Sequence, residues 1–321
     1  MPYNDLTQPA LAAYQSSVQT PQDFAAFWEA TIAEARATGG AVTYELVALP
    51  LKLVSVFDVT FPGFGGHPIR GWLVLPTSIA GPLPLVVQYV GYGGGRGFPH
   101  EALFWAASGY AYFRMDTRGQ GSSWSKGDTA DPVGSTPAHP GFMTRGIHAP
   151  QDYYYRRVFT DGVRAIDALV EHPSVDASRI AVVGGSQGGG IALAVAGIDP
   201  RVKALMADVP FLCDFPRAVG LAGRDPYGEI TRYLGAHRDR VQQTFTTLRY
   251  FDGVCFARQA KAPALFSAAL MDDICPASTV YGAFNAYAGA DKTIIDYAFN
   301  NHEGGGPFQE TEQMHWLAAR F

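Results

Sequence analysis

Apolar positions along the chain follow two successive patterns. Residues 21–40 open after Pro21 and place Phe24, Phe27, Trp28 and Ile32 on one face at helical spacing. Gly39-Gly40 then predicts a helix end. Residues 54–61 and 69–75 are strand-like runs separated by Pro62-Gly63-Phe64-Gly65-Gly66, which predicts an antiparallel hairpin. From residue 83 the pattern changes to alternating strands and helices. Strands are predicted at 85–90, 110–115, 180–183, 202–209, 264–271 and 293–299. Helices are predicted at 101–108, 156–171, 188–197 and 309–319. Such alternation argues a mainly parallel sheet covered on both faces, with ligands at the carboxyl ends of its strands.

The expected class is therefore α/β: one unit over residues 1–321, with a helical and antiparallel extension at 1–80. Two stretches interrupt the alternation. Residues 122–155 are rich in Gly, Pro, Ser and Thr and end in Tyr153-Tyr154-Tyr155. A loop of that length in a compact unit is expected to serve function or an interface. Residues 213–260 read as mixed helices, either a lid or surface.

Composition narrows the partners. Lys and Arg number 24 against 29 Asp and Glu, a net charge of −5 that offers no footprint for nucleic acid or an anionic membrane. The longest nearly unbroken apolar run, 262–271, contains Pro263 and Ser267 and falls far short of the ~20 residues that span a bilayer. No secretory signal is read at the start of the chain. Three cysteines, Cys213, Cys255 and Cys275, do not make a disulfide framework and fit a reducing compartment.

Candidate chemistry centres on Gly184-Gly185-Ser186-Gln187-Gly188, a G-x-S-x-G string. With 36 glycines in the chain the string alone is weak. Its context is not: a strand precedes it and a small-residue helix follows, which predicts a nucleophile elbow. Ser186 would then stand at a helix N-terminus, where free N–H groups favour an oxyanion. The alternative is a plain glycine turn.

In such units the acid and then the histidine follow the serine. His302 follows the last strand and begins a glycine-rich loop. His315 lies inside the final helix, and His237 lies in an Arg-rich stretch that reads as surface. His302 is the expected base. Asp208, Asp272 and Asp273 end strands; Asp208 reads as too near the elbow, and Asp272 continues its strand directly. Asp272 is the preferred acid, although either Asp272 or Asp273 could instead cap the helix that starts near Ser278. Ser186 would attack, His302 would carry the proton, and Asp272 would orient His302. The backbone N–H groups of Tyr92, in Gly91-Tyr92-Gly93-Gly94-Gly95, and of Gln187 are candidates for the oxyanion hole. No Gly-Lys-Ser/Thr loop, H-E-x-x-H helix or zinc-spaced Cys/His cluster occurs, so no metal or cofactor is implied.

These segments together resemble a known family. Gly91–His100, Met115–Gly121 with Arg118-Gly119-Gln120, Gly141–Gly146, Tyr153–Asp161, Gly184–Gly190, Leu270–Pro276 and His302-Glu303 are similar to the acetyl xylan esterases that also deacetylate cephalosporin C. The resemblance implies an α/β-hydrolase fold and a cytoplasmic enzyme that removes acetyl groups from short xylo-oligosaccharides, cephalosporin C and other small acetates. It implies a homo-hexamer, a trimer of dimers, with 122–155 at the interfaces. Ser186, Asp272 and His302 fall on the family's triad positions, and Tyr92 and Gln187 on its oxyanion positions. Arg118, Gly119 and Gln120 match a structural motif beneath the nucleophile, with Arg118 a buried brace. Phe211 and Ile274 would line the acyl pocket. Ala277 departs from a proline found in many members. The competing expectations are a serine peptidase or amidase on the same fold, a general short-chain carboxylesterase, and an inactive scaffold.

Overall fold

The computed structural model describes residues 5–101, 103–133 and 136–321. Nine strands form one sheet: β1 (Thr43–Leu46), β2 (Val54–Pro62), β3 (Pro68–Pro76), β4 (Leu83–Tyr89), β5 (Ala111–Met115), β6 (Val175–Gly185), β7 (Val202–Asp208), β8 (Ala264–Ala269) and β9 (Lys292–Tyr297). Their order is β1-β2-β3-β5-β4-β6-β7-β8-β9. The pairs β1–β2, β2–β3 and β3–β5 are antiparallel, and all pairs from β5 to β9 are parallel. This is the mainly parallel sheet with an antiparallel N-terminal side that the sequence predicts.

Strand alternation divides the core into two layers. Leu85, Val87 and Tyr89 of β4, Phe113 of β5 and Val182 of β6 face the larger layer, with Trp28, Phe159 and Leu193 from the helices. Val86, Tyr112, Ala181, Ala204 and Leu265 face the other side, where Trp105 and Leu317 cover them. Both faces are buried, which is why these strands read as nearly continuous apolar runs.

Several boundaries differ from the expectation. The helix at 101–108 shrinks to Phe104–Ala107, the helix after the tyrosine run spans Tyr154–Leu169, and the last helix begins at Gly306. The strand at 180–183 extends to Val175–Gly185. Strand β1, with one half-buried and three exposed residues, carries no apolar signal. Residues 213–260 hold four α-helices, Phe215–Leu221, Tyr227–Ala236, Val241–Leu248 and Gly253–Ala257, with two short 3-10 turns between them, and much of this stretch is core.

The order of strands locates a crevice. From β4 the chain crosses to β5 on one side, then returns past β4 to β6 on the other. The loops after β4 and β6 therefore diverge at a switch point, where open parallel sheets place ligands. Residues 91–95 and Ser186 occupy those two loops.

Candidate active site

Ser186 stands between β6 and the helix Gln187–Ile198, with φ 55° and ψ −123°. A non-glycine residue with positive φ is strained, and such strain persists where the surroundings over-determine it. Here they do. The Ser186 N–H donates to Asp208 O at 2.9 Å, and Ser186 O accepts from Phe211 N at 2.9 Å and Gly190 N at 3.0 Å. A Cβ on Gly188 would lie 2.1 Å from Tyr89 O, and one on Gly184 would lie 2.3 Å from Gly188 C. Only glycine lets helix, elbow and β4 approach this closely.

The structure brings Ser186, His302 and Asp272 together across 116 and 30 positions of chain. Ser186 Oγ lies 2.9 Å from His302 Nε2, and His302 Nδ1 lies 2.8 Å from Asp272 Oδ2. A carboxylate only accepts, so Nδ1 carries the proton and Nε2 is left to accept the Ser186 hydroxyl. Asp272 Oδ1 accepts from Ile274 N at 2.8 Å and Cys275 N at 2.9 Å, which fixes the carboxylate. Neither Asp272 nor Asp273 caps the helix Ala277–Ala286, because Asp272 is spent on these two amides and His302. The Ser278 N–H at its start donates to Asp5 instead. Asp273 pairs with Arg224 at 3.2 Å. The next residue ties the loop that carries His302: Glu303 accepts from Asn300 Nδ2 at 2.5 Å and Asn301 N at 3.1 Å, and the first of these bonds keeps its carboxyl below the usual range.

Asp208 does not reach His302. Its oxygens accept from Gln309 Nε2 at 2.8 Å and Gln313 Nε2 at 2.6 Å, and burial pushes its pKa up to about 7. His315 is exposed on the last helix, and His237 packs its ring 4.5 Å from Tyr233. Both lie apart from the serine's hydrogen-bonded line.

Below the elbow, Gln187 is wholly buried. Its Oε1 accepts from Gln120 Nε2 at 2.8 Å and Tyr155 OH at 2.9 Å, and its Nε2 donates to Val90 O at 3.1 Å. Gln120 Oε1 accepts from Gly93 N at 2.7 Å, so one side chain ties the loop after β4 to the elbow. Gly119, with φ 72°, makes the turn that aims Gln120 inward. Arg118 is fully buried in a two-pronged pair with Asp161, at 2.6 and 2.7 Å, and lies 3.3 Å from Asp131. The Gln187 N–H opens its helix and has no intrahelical partner of its own.

Tyr92 places its ring in the cleft wall. Its hydroxyl donates to Glu229 Oε1 at 2.5 Å and accepts from Phe142 N at 2.7 Å. Burial pushes the pKa of both Tyr92 and Glu229 up and so holds both toward their neutral forms. Trp124 covers the same loop, donating Nε1 to Tyr92 O at 2.8 Å while 60% of it stays exposed. Ile274 lines the cleft with Tyr92, Ser186 and His302. Phe211 does not. It is fully buried behind the tyrosine, 6.3 Å from the Tyr92 ring and 4.3 Å from that of Tyr227. The tyrosines 153–155 are also core, so this part of the 122–155 stretch buries its aromatics within its own chain.

Glu229 and Trp124 were not legible as site residues. Glu229 meets Tyr92 across 137 positions and lies in no motif. The stretch 213–260 does reach the cleft, through Asp225, Pro226 and Glu229. Asp272, Cys275 and His302 hold possible metal-ligating atoms within 4.8 Å of one another, and two of the three are already engaged with each other.

The arrangement can polarise a hydroxyl, move one proton along a fixed line and hold a developing oxyanion at a helix N-terminus. Comparison with known proteins places the chain among ester hydrolases. The acetyl xylan esterase family model matches residues 1–320. The acetyl esterase Axe7A of Xylanibacter ruminicola is 31% identical over 93% of this chain and 67% of its own length. The solved acetyl xylan esterase from Paenibacillus sp. R4 is 40% identical with a TM-score of 0.93, covering 98% of this chain and all of that one. Acetyl xylan esterase 1 from Thermoanaerobacterium sp. JW/SL YS485 is 29% identical with a TM-score of 0.90, covering 99% of this chain and all of that one. An acylaminoacyl peptidase, an esterase and a dienelactone hydrolase at 15–18% identity share the α/β-hydrolase fold alone.

Proposed function

Because the chain belongs to the acetyl xylan esterase family, and so to the carboxylic ester hydrolases, we propose that it removes acetyl groups from small O-acetylated substrates through an acyl-serine intermediate. Acetylated xylo-oligosaccharides and cephalosporin C are the substrate class. The observation that carries the mechanism is the unbroken line from Ser186 Oγ through His302 to Asp272, with contacts of 2.9 and 2.8 Å.

Ser186 Oγ attacks the acetyl carbonyl as its proton passes to His302 Nε2. The oxyanion is met by the Gln187 and Tyr92 backbone N–H groups, the effect worth ~10²–10³ in turnover per donor in related chemistry. His302 then gives the proton to the sugar oxygen, which leaves, and the acetyl group stays on Ser186. Water, deprotonated by His302, attacks the acyl carbon, and His302 returns that proton to Ser186 Oγ as acetate is released. Asp272 holds the imidazole tautomer and stabilises its charged form throughout.

Assembly as a homo-hexamer and a cytoplasmic location belong to the same proposal. The first rests on the resemblance of 122–155, and sedimentation equilibrium tests it. The second is supported by three free, buried cysteines. No described helix is long and apolar enough to cross a membrane.

The test compares kcat/KM on p-nitrophenyl acetate, butyrate and octanoate and on an acetylated xylo-oligosaccharide, for the wild type and Ser186→Ala. The expected result is a steep preference for acetate and a loss of about 10⁴-fold or more in the variant. A longer-chain preference would point to a general esterase. Amide hydrolysis without ester hydrolysis would point to a peptidase.

A further inference from the structure

The cleft over Ser186 encloses about 680 Å³. A second compartment of about 220 Å³ adjoins it at Gly185, sharing Gln88, Arg114, Gly185, Asp208 and Glu310 with the first. It lies on the side of the sheet covered by the helices Phe104–Ala107 and Gly306–Ala318, whose Phe104, Trp105 and Gln313 line it.

On this face of the sheet the central strands are packed with apolar residues: Val86, Tyr112, Ala181 and Ala204. One pleat nearer the carboxyl ends, β4 and β5 place Gln88 and Arg114 side by side as register partners. Two long polar side chains on core-facing positions of central strands break the pattern that fills the rest of the layer. The fold does not use their donors. Gln88 Oε1 accepts from the Tyr112 hydroxyl, and no acceptor meets its amide N–H groups among the described residues. Arg114 makes no side-chain hydrogen bond or ion pair among the described residues, and its Nε is buried without a partner. Buried donors are nearly always satisfied, so the buried Arg114 Nε, at the edge of this compartment, calls for an acceptor.

We propose that this compartment is the subsite for the uncharged, hydroxyl-rich sugar half of the ester, with Arg114 and Gln88 donating to its hydroxyl oxygens. The inference rests on the reading that the substrates are acetylated saccharides. The wall chemistry selects such a group. Donors on β4 and β5 stand in one small space with the acidic side chains of Glu101, Asp208 and Glu310. A hydroxyl can accept from the first and donate to the second. An anionic group would meet Arg114 but also three acidic side chains, and an apolar alcohol would leave Arg114 without a partner. The compartment opens at Gly185, next to the nucleophile, where a bound alcohol keeps its ester within reach of Ser186.

The test is Arg114→Met. In one preparation, kcat/KM is measured on an acetylated xylo-oligosaccharide and on p-nitrophenyl acetate. The ratio of the two is expected to fall about tenfold or more, the loss of a hydrogen bond to a charged donor. Xylobiose is expected to inhibit p-nitrophenyl acetate hydrolysis competitively, with an inhibition constant that rises by a similar factor in the variant and less in Arg114→Lys. An unchanged ratio, or both rates falling in parallel, overturns the proposal, since a structural role lowers both. Glucuronate inhibiting the wild type more strongly than xylose overturns it in favour of an anion site. If Arg114→Met does not fold, Arg114→Lys and the two inhibitors on the wild type decide. A wild type that hydrolyses p-nitrophenyl acetate but no sugar acetate defeats the substrate reading instead, and xylobiose inhibition still reports on the subsite.

Discussion

Asp208 and Asp272 follow neighbouring strands and meet opposite surroundings. Asp272 is held by two backbone amides and an imidazole N–H. Asp208 is held by two neutral glutamine amides in a buried place that pushes its pKa up to about 7. An unfolded aspartate releases its proton near pH ~3.9. Between ~4 and about 7, then, the folded protein binds a proton that the unfolded chain has lost, and stability falls as pH rises through that window. Asp208→Asn is expected to remove this slope, which amounts to up to about 1.4 kcal/mol per pH unit. Urea unfolding at pH 5, 6 and 7 measures it, and parallel slopes in the two proteins would reject the assignment. The preference for Asp272 over its neighbours came from its place directly after the apolar run 264–271, although β8 itself ends at Ala269 and a turn carries the chain to Asp272. The Glu229–Tyr92 bond was not, since a contact across 137 positions leaves no periodic trace. Phe211 was expected in the pocket from the family resemblance, but the turn after β7, with Val209 and Leu212 at positive φ, carries it into the core.

At the scale of elements, the elbow depends on how closely the helix Gln187–Ile198 meets β4. Gly188→Ala would put a methyl 2.1 Å from Tyr89 O, so strand and helix must separate. The expected outcome is a loss of about 10²-fold or more in kcat on p-nitrophenyl acetate, because a shift of ~1 Å misplaces Ser186 against His302. A lowered Tm should accompany it. A fully active, stable variant would show that the contact is not needed. The long apolar strands were legible because burial on both faces writes them as continuous runs. β1 was not, because it is an edge strand with three exposed residues of four. The start of β6 was missed because Asp176, Ser178 and Arg179 break the apolar run, and the start of the last helix because Gly306-Pro307 reads as loop.

For the molecule as a whole, a buried charge cluster joins distant segments. Arg118, after β5, pairs with Asp161 on the helix Tyr154–Leu169, and Asp161 also accepts from Phe64 N in the β2–β3 hairpin. Asp131, from the inserted stretch, pairs with Arg157 at 2.8 Å and lies 3.3 Å from Arg118. Asp161→Asn would leave a buried guanidinium short of its partner. It is expected to cost about 3–5 kcal/mol of stability, read as a fall in the urea midpoint. An unchanged midpoint would mean that Asp131 alone suffices for Arg118.

The proposed nucleophile and the proposed base sit on very different ground in this sheet. Ser186 leaves β6, which has strands on both sides, and its backbone N–H and C=O are both fastened to the exit of β7. His302 comes from the loop after β9, an edge strand with a neighbour on one side only. Where the bond breaks is thus fixed at the centre of the molecule, while the ability to move a proton is held at its margin. The two can drift separately: changes in residues 300–306 can retune or silence the relay while the mount of the serine is left as it was.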